Sequence, residues 1–203
     1  MEEKAAGFIS WIFHPLLMPT YALMLVFNND NYFVLMLPLK LKLILTAIIF
    51  TNTLLLPLLF IWMMKRKGII QSYHMPERAD RTFPFLVTGL FYMATWFMIN
   101  NLNLPGVYSM FLLGGTALIV ICLIINLFWK ISIHMAGVGG LTGGFIALNY
   151  LMVVDSPLLI LVLIIISGLV GFARLKANTH NPSQVYVGFA AGAMVMAGIT
   201  LLV

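Results

Sequence analysis

Three residues late in the chain have types and spacing suited to phosphate chemistry. Arg174 is followed after five residues by His180 and after three more by Gln184. A guanidinium presents a planar fork of donors that matches phosphate oxygens. An imidazole beside it can act as nucleophile or as proton carrier. Gln184, one helical turn beyond His180, can reach back and orient the ring. A second cluster comprises Lys130, Ser132 and His134. A third holds Arg78 and Arg81, three apart and on one face of a helical turn, beside Glu77 and Asp80. For the second and third clusters a plainer reading stands beside the functional one. Arg78 and Arg81 pair with the neighbouring carboxylates, Ser132 only caps a helix, or His134 is an interfacial histidine.

The segments that carry these clusters are apolar enough to belong to a membrane. The chain of 203 residues is 62% hydrophobic and 8% charged. So few charges cannot cover a water-facing surface, which excludes a soluble globular domain. About 20 apolar residues cross the hydrocarbon as a helix. Seven stretches are predicted to do so, at 8–27, 41–64, 83–100, 107–129, 132–153, 157–175 and 182–203. The expected fold is an all-α polytopic transmembrane bundle forming one domain over residues 1–203. The first stretch is broken by Pro15 and Pro19 and too long for a cleaved signal, so it is read as a retained span. The fifth is glycine-rich (Gly137, Gly139, Gly140, Gly143, Gly144), and small residues at such spacing let helices approach closely. It is therefore placed at the bundle centre. The Ile/Leu/Val-rich stretch from Pro157 to Val170 is placed against lipid. Ser132 sits where it could cap the fifth helix, and Pro182 fits the first turn of the last one. The lone Cys122 excludes a disulfide framework and a thiolate metal site.

Topology brings the clusters together. Loops 2–3, 4–5 and 6–7 are two crossings apart, so all three clusters share one membrane face. That face also carries Lys4, Lys65, Arg66, Lys67 and Lys176, against Lys40 and Lys42 opposite. The positive-inside rule assigns it to the cytoplasm, and the expected location is the cell (inner) membrane. Lys65, Arg66 and Lys67 read as a headgroup anchor at the end of span two. No nucleic-acid partner is expected, and nothing in the sequence specifies an oligomer.

From Lys65 to the C-terminus the chain resembles the type 2 phosphatidic acid phosphatase/haloperoxidase superfamily, in its membrane-embedded lipid phosphatase branch. That family carries Lys-x6-Arg-Pro, Pro-Ser-Gly-His and Ser-Arg-x5-His-x3-Asp. The third motif corresponds to Ala173-Arg174-x5-His180-x3-Gln184 with its spacing intact. The second corresponds to Ile131-Ser132-Ile133-His134, keeping Ser and His. The first is loose, from Glu77 to Pro84. The resemblance implies a six-helix core with an additional span. It implies a cofactor-free and metal-free hydrolase of a lipid phosphomonoester or diphosphate, such as a prenyl diphosphate, phosphatidic acid or phosphatidylglycerol phosphate. His180 would form a phosphohistidine and His134 would protonate the leaving oxygen. Arg174, Arg81 and Ser132, with Arg78 and Lys130, would hold the phosphoryl oxygens. Gln184 departs from the family's carboxylate. It can accept from the imidazole but supplies no negative charge, and in serine proteases the same kind of exchange lowers turnover ~10⁴-fold. The alternative is a slow or silent descendant that binds lipid phosphates. A haem reading through His14, His134 and His180 is disfavoured by the adjacent arginines and by Pro15.

Overall fold

The computed structural model describes residues 2–29, 32–35, 37–73, 75 and 77–202; His74 lies outside them. Among the described residues the regular structure is helical throughout. Six helices are long and apolar enough to cross a membrane: Ala5–Phe27, Leu39–Arg66, Ala79–Asn100, Met110–Phe128, Pro157–Lys176 and Pro182–Leu202. The protein is an α-helical transmembrane bundle.

The first crossing is broken in two. Helix α1 (Glu2–Ile12) ends before His14, a short 3₁₀ turn covers Pro15–Leu17, and α2 (Met18–Phe27) resumes. Pro15 and Pro19 lack the N–H that a continuous helix needs. After the short helix α3 (Tyr32–Leu35), the second crossing joins α4 (Leu39–Phe50) to α5 (Leu56–Arg66) through a π-helical turn at Thr51–Leu55. Pro57 explains the turn: its ring cannot donate, so the ladder loosens just ahead of it. The turn aims Thr53 at the 3₁₀ break, where its hydroxyl donates to the Leu16 carbonyl at 3.2 Å.

The remaining crossings are α6 (Ala79–Asn100), α7 (Met110–Phe128), α9 (Pro157–Lys176) and α10 (Pro182–Leu202), with α8 (Ile133–Tyr150) among them. The expected seventh span is thus a helix of 18 residues that falls short of the other six in hydropathy. Its glycines are the cause, and its surroundings are the compensation. Nearly every α8 side chain is buried, because α7, α9, α10 and α2 surround it. The closest pairing is α8 on α10. A Cβ at Gly143 would overlap the Ala193 backbone, one at Gly139 the Phe189 backbone, and one at Gly192 the Ala136 carbonyl. These glycines let two backbones meet, so dispersion along the seam replaces the hydropathy that α8 lacks. By contrast, α9 turns Leu158, Leu161, Ile164, Ile165 and Leu169 outward. The third crossing begins at Ala79, four residues before the predicted start, and so includes Arg81.

Candidate functional site: a cationic, histidine-lined cavity

Two helix junctions set the positions of the site side chains. Helix α9 ends at Lys176, and Asn178 takes a left-handed conformation (φ 51°) that turns the chain back. Asparagine tolerates that region better than most residues. The Thr179 hydroxyl then donates to the Arg174 carbonyl at 3.1 Å. Helix α10 opens with a reciprocal cap. The Gln184 N–H donates to Asn181 Oδ1 at 2.9 Å, and the Asn181 N–H donates to Gln184 Oε1 at 3.3 Å. This is a capping box with Pro182 in the first turn.

The cap gives Gln184 a second task. Its Oε1 also lies 2.9 Å from His180 Nδ1. The Asn181 N–H identifies that atom as the carbonyl oxygen of the amide, so His180 must donate through Nδ1–H. The free lone pair of the imidazole is then on Nε2. Gln184 therefore does the tautomer-setting work of a carboxylate without its charge. Burial lowers the His180 pKa to about 4; the Gln184 hydrogen bond opposes that shift, and Arg174, Arg81 and Lys130 add to it. His180 is a neutral imidazole near neutral pH.

The α8 start is tied to the same place. The Ser132 N–H donates to the Gln184 backbone carbonyl at 3.3 Å, which fixes the two histidine-bearing junctions to each other. Ser132 occupies the N-cap position, as predicted. Its hydroxyl makes no capping bond, however, and is fully buried without a partner. His134 follows in the first turn. Its Nε2–H donates to the Ser10 carbonyl at 3.1 Å, leaving the Nδ1 lone pair buried and unpartnered.

Ser10 belongs to the first crossing, which the motifs did not include. Its hydroxyl accepts from Arg174 Nη1 at 3.0 Å, while Arg174 Nε is buried with no partner. His14 also comes from this crossing. Its ring meets His134 edge-on, with centroids 5.6 Å apart, and its Nδ1 accepts from the Leu16 N–H at 3.3 Å. The signal for His14 was its place before Pro15, where the first helix must break and free a ring to cap the turn. Ser10 carried no comparable signal.

Arg81, Lys130, His134, Arg174 and His180 line one cavity of about 660 Å³, together with Ser10 and His14. Arg81 is held by the Met75 carbonyl at 3.0 Å and the Ile131 carbonyl at 3.5 Å. Burial, and then Arg81 and Arg174, lower the Lys130 pKa, with Glu77 opposing. Among the described residues, no carboxylate lines the cavity, and neither Arg81, Lys130 nor Arg174 has an ion-pair partner. Glu77 and Asp80 lie off it.

Two predicted phosphate ligands fall elsewhere. Arg78 points at the end of α7, donating to the carbonyls of Phe128 and, at 3.4 Å, Leu127. A cation there satisfies the orphan carbonyls and the negative end of the helix dipole. Ser132 is packed under α10 and does not line the cavity. Arg78 pairs with neither Glu77 nor Asp80; its partners are backbone carbonyls.

The arrangement collects three cations and three imidazoles at one end of a cavity. Buried polar atoms without partners are rare in native structures. Arg174 Nε and His134 Nδ1 are two of them at this site. Such a site is complementary to a multiply charged anion that both accepts and donates hydrogen bonds. Compared with family models, curated proteins and solved structures, the chain matches none.

Proposed function

We propose that the protein is a membrane-integral phosphatase acting on a lipid phosphomonoester or diphosphate through a phosphohistidine. One observation carries this reading: Arg81, Lys130 and Arg174 converge, with no carboxylate lining the cavity among the described residues, beside an imidazole whose free nitrogen is Nε2. Uncompensated cations in a partly buried site are costly unless an anion completes it. Phosphoryl transfer needs mainly such positioning and charge stabilisation.

In this mechanism the substrate enters as a monoanion, its oxygens held by Arg174, Arg81 and Lys130. Its remaining proton passes to His134 Nδ1, the buried lone pair. His180 Nε2 attacks phosphorus as the bond to the leaving oxygen breaks, and the His134 imidazolium returns the proton to that oxygen. Water then attacks the phosphohistidine. His134 Nδ1 takes one proton from the water, the P–N bond breaks, and His134 returns that proton to the phosphate, which leaves as the monoanion with both histidines restored. The family resemblance at Arg174-x5-His180 supports the same assignment. The basic face is proposed to be cytoplasmic, in the cell membrane, on the distribution of Lys65, Arg66 and Lys67.

Gln184 favours a second reading, in which lipid phosphate binds without turnover. A neutral amide orients His180 but does little to stabilise the charge that ring gains on attack. One experiment separates the two. Purified protein is given a prenyl diphosphate, phosphatidic acid and phosphatidylglycerol phosphate, and released phosphate is measured. Release that falls by ~10³-fold or more in His180→Ala, with an acid-labile phosphohistidine in wild type, supports the phosphatase. Binding of all three without release establishes the binder.

A further inference from the structure

The cavity does not stop at the cationic cluster. Its wall continues along α7 through Cys122, Leu118 and Gly115 to Phe111. Cys122 to Phe111 spans eleven residues of helix, about 16 Å at ~1.5 Å per residue. Phe85 and Tyr92 of α6, Leu141 of α8 and Met196 of α10 close the other sides. The floor is built from Phe111 and Met196, which pack over Gly114 and Gly144; a Cβ at Gly144 would lie 2.6 Å from the Phe111 ring. On the lipid side, Gly7 and Trp11 of α1 and Ile61 of α5 line the same cavity. Helix α1 packs chiefly on α9, so the flank between α1 and α5 is the one a bilayer lipid can enter. Trp11 is 74% exposed on that flank.

We infer that the ligand is a single-chain amphiphile, a phosphate or diphosphate on one hydrocarbon tail that inserts into the bundle and ends against Phe111 and Met196. The inference rests on the anion-site reading and adds the tail to it. The volume is that of a site for one small ligand. A second acyl chain would have to remain in the bilayer. At ~1.2 Å of extension per backbone bond, taken from an extended chain, ~16 Å holds roughly 13 carbons. Buried methylenes each raise affinity about fourfold, so affinity should climb with length until the floor is met and then fall, because a longer tail overpacks the chamber or lifts the phosphate off the cations.

The test measures binding of the full chain in lipid nanodiscs to n-octyl, n-dodecyl and n-eicosyl phosphate, to dimyristoyl phosphatidic acid, and to n-octanol, n-dodecanol and n-eicosanol. The expected result is n-dodecyl phosphate bound about tenfold or more tighter than the octyl, eicosyl and diacyl ligands. Met196→Ala should move the optimum to longer chains, and Leu118→Phe to shorter ones. Equal binding of eicosyl, diacyl and dodecyl phosphates overturns the inference while leaving the anion site standing. Dodecanol bound as tightly as dodecyl phosphate, with the same length limit in the alcohol series, keeps the chamber and overturns the anion reading. No binding by any alkyl phosphate overturns both.

Discussion

Gln184 performs two jobs with one oxygen: it closes the cap of α10 and fixes the His180 tautomer. Replacing it separates orientation from charge. Gln184→Glu keeps the acceptor and adds a negative charge, and should raise kcat on the order of tenfold through a better-stabilised phosphohistidine. Gln184→Ala removes both functions and should lower kcat by ~10²-fold; kinetics on the two variants checks the pair. The pH behaviour follows from the same residue. His180 is lowered from an ordinary histidine value of 6.5 to about 4. Its neutral form therefore persists in acid, and if His180 is the nucleophile as proposed, the acidic limb of kcat/KM assigned to the free enzyme should fall near pH 4, moving upward in Gln184→Glu. The stability consequence has a definite sign. Between about pH 6.5 and pH 4 the unfolded chain binds a proton at this histidine and the folded one does not, so stability declines as pH falls through that window. Melting wild type beside His180→Gln across it should show a steeper decline in wild type. At the other arginine pair, Arg78→Ala should leave phosphate affinity unchanged and Arg81→Ala should abolish it, as read by phosphate titration, because only Arg81 lines the cavity.

The elements that carry these residues are held by backbone approach more than by side-chain bulk. Helix α8 would not qualify as a span by hydropathy, yet it is the most enclosed helix of the bundle. Its glycines place it against α10, and the Ser132-to-Gln184 bond registers the two at the site end. Gly143→Ala or Gly192→Ala should therefore destabilise by about 1–3 kcal/mol through overpacking. Gly168→Ala, whose added Cβ meets open space on α9, should be neutral or stabilising by up to ~1 kcal/mol. Thermal melts of the detergent-solubilised protein distinguish these outcomes. The broken first crossing is the other decisive element. Its 3₁₀ turn at Pro15–Leu17 frees carbonyls that Thr53 and, at 3.4 Å, the Tyr92 hydroxyl satisfy, so two neighbouring crossings hold Ser10 and His14 at the site.

At the scale of the whole molecule, the bundle turns dispersed polar residues into one cationic, histidine-lined end and leaves an apolar chamber beneath it. If the basic face is cytoplasmic, a cysteine placed at Lys67 should label only from the inside, and the buried native Cys122 should not interfere. The class of this protein was legible without coordinates, since composition and apolar run lengths depend only on local chemistry and the thickness of a bilayer. So was the convergence of Arg81, Lys130, His134, Arg174 and His180, because alternating crossings force their loops onto one face. The capping box at Asn181-Pro182-Ser183-Gln184 was equally available in the sequence as an explanation for glutamine at that position. Tertiary structure alone decided which of two adjacent arginines faces the cavity: both suit a phosphate, and only the end of α7 shows what Arg78 binds. It also decided that Ser10 and His14 join the site, and that the cavity has a floor. These depend on contacts between residues from tens to more than a hundred positions apart, and local pattern carries no information about which side chains meet across such a distance.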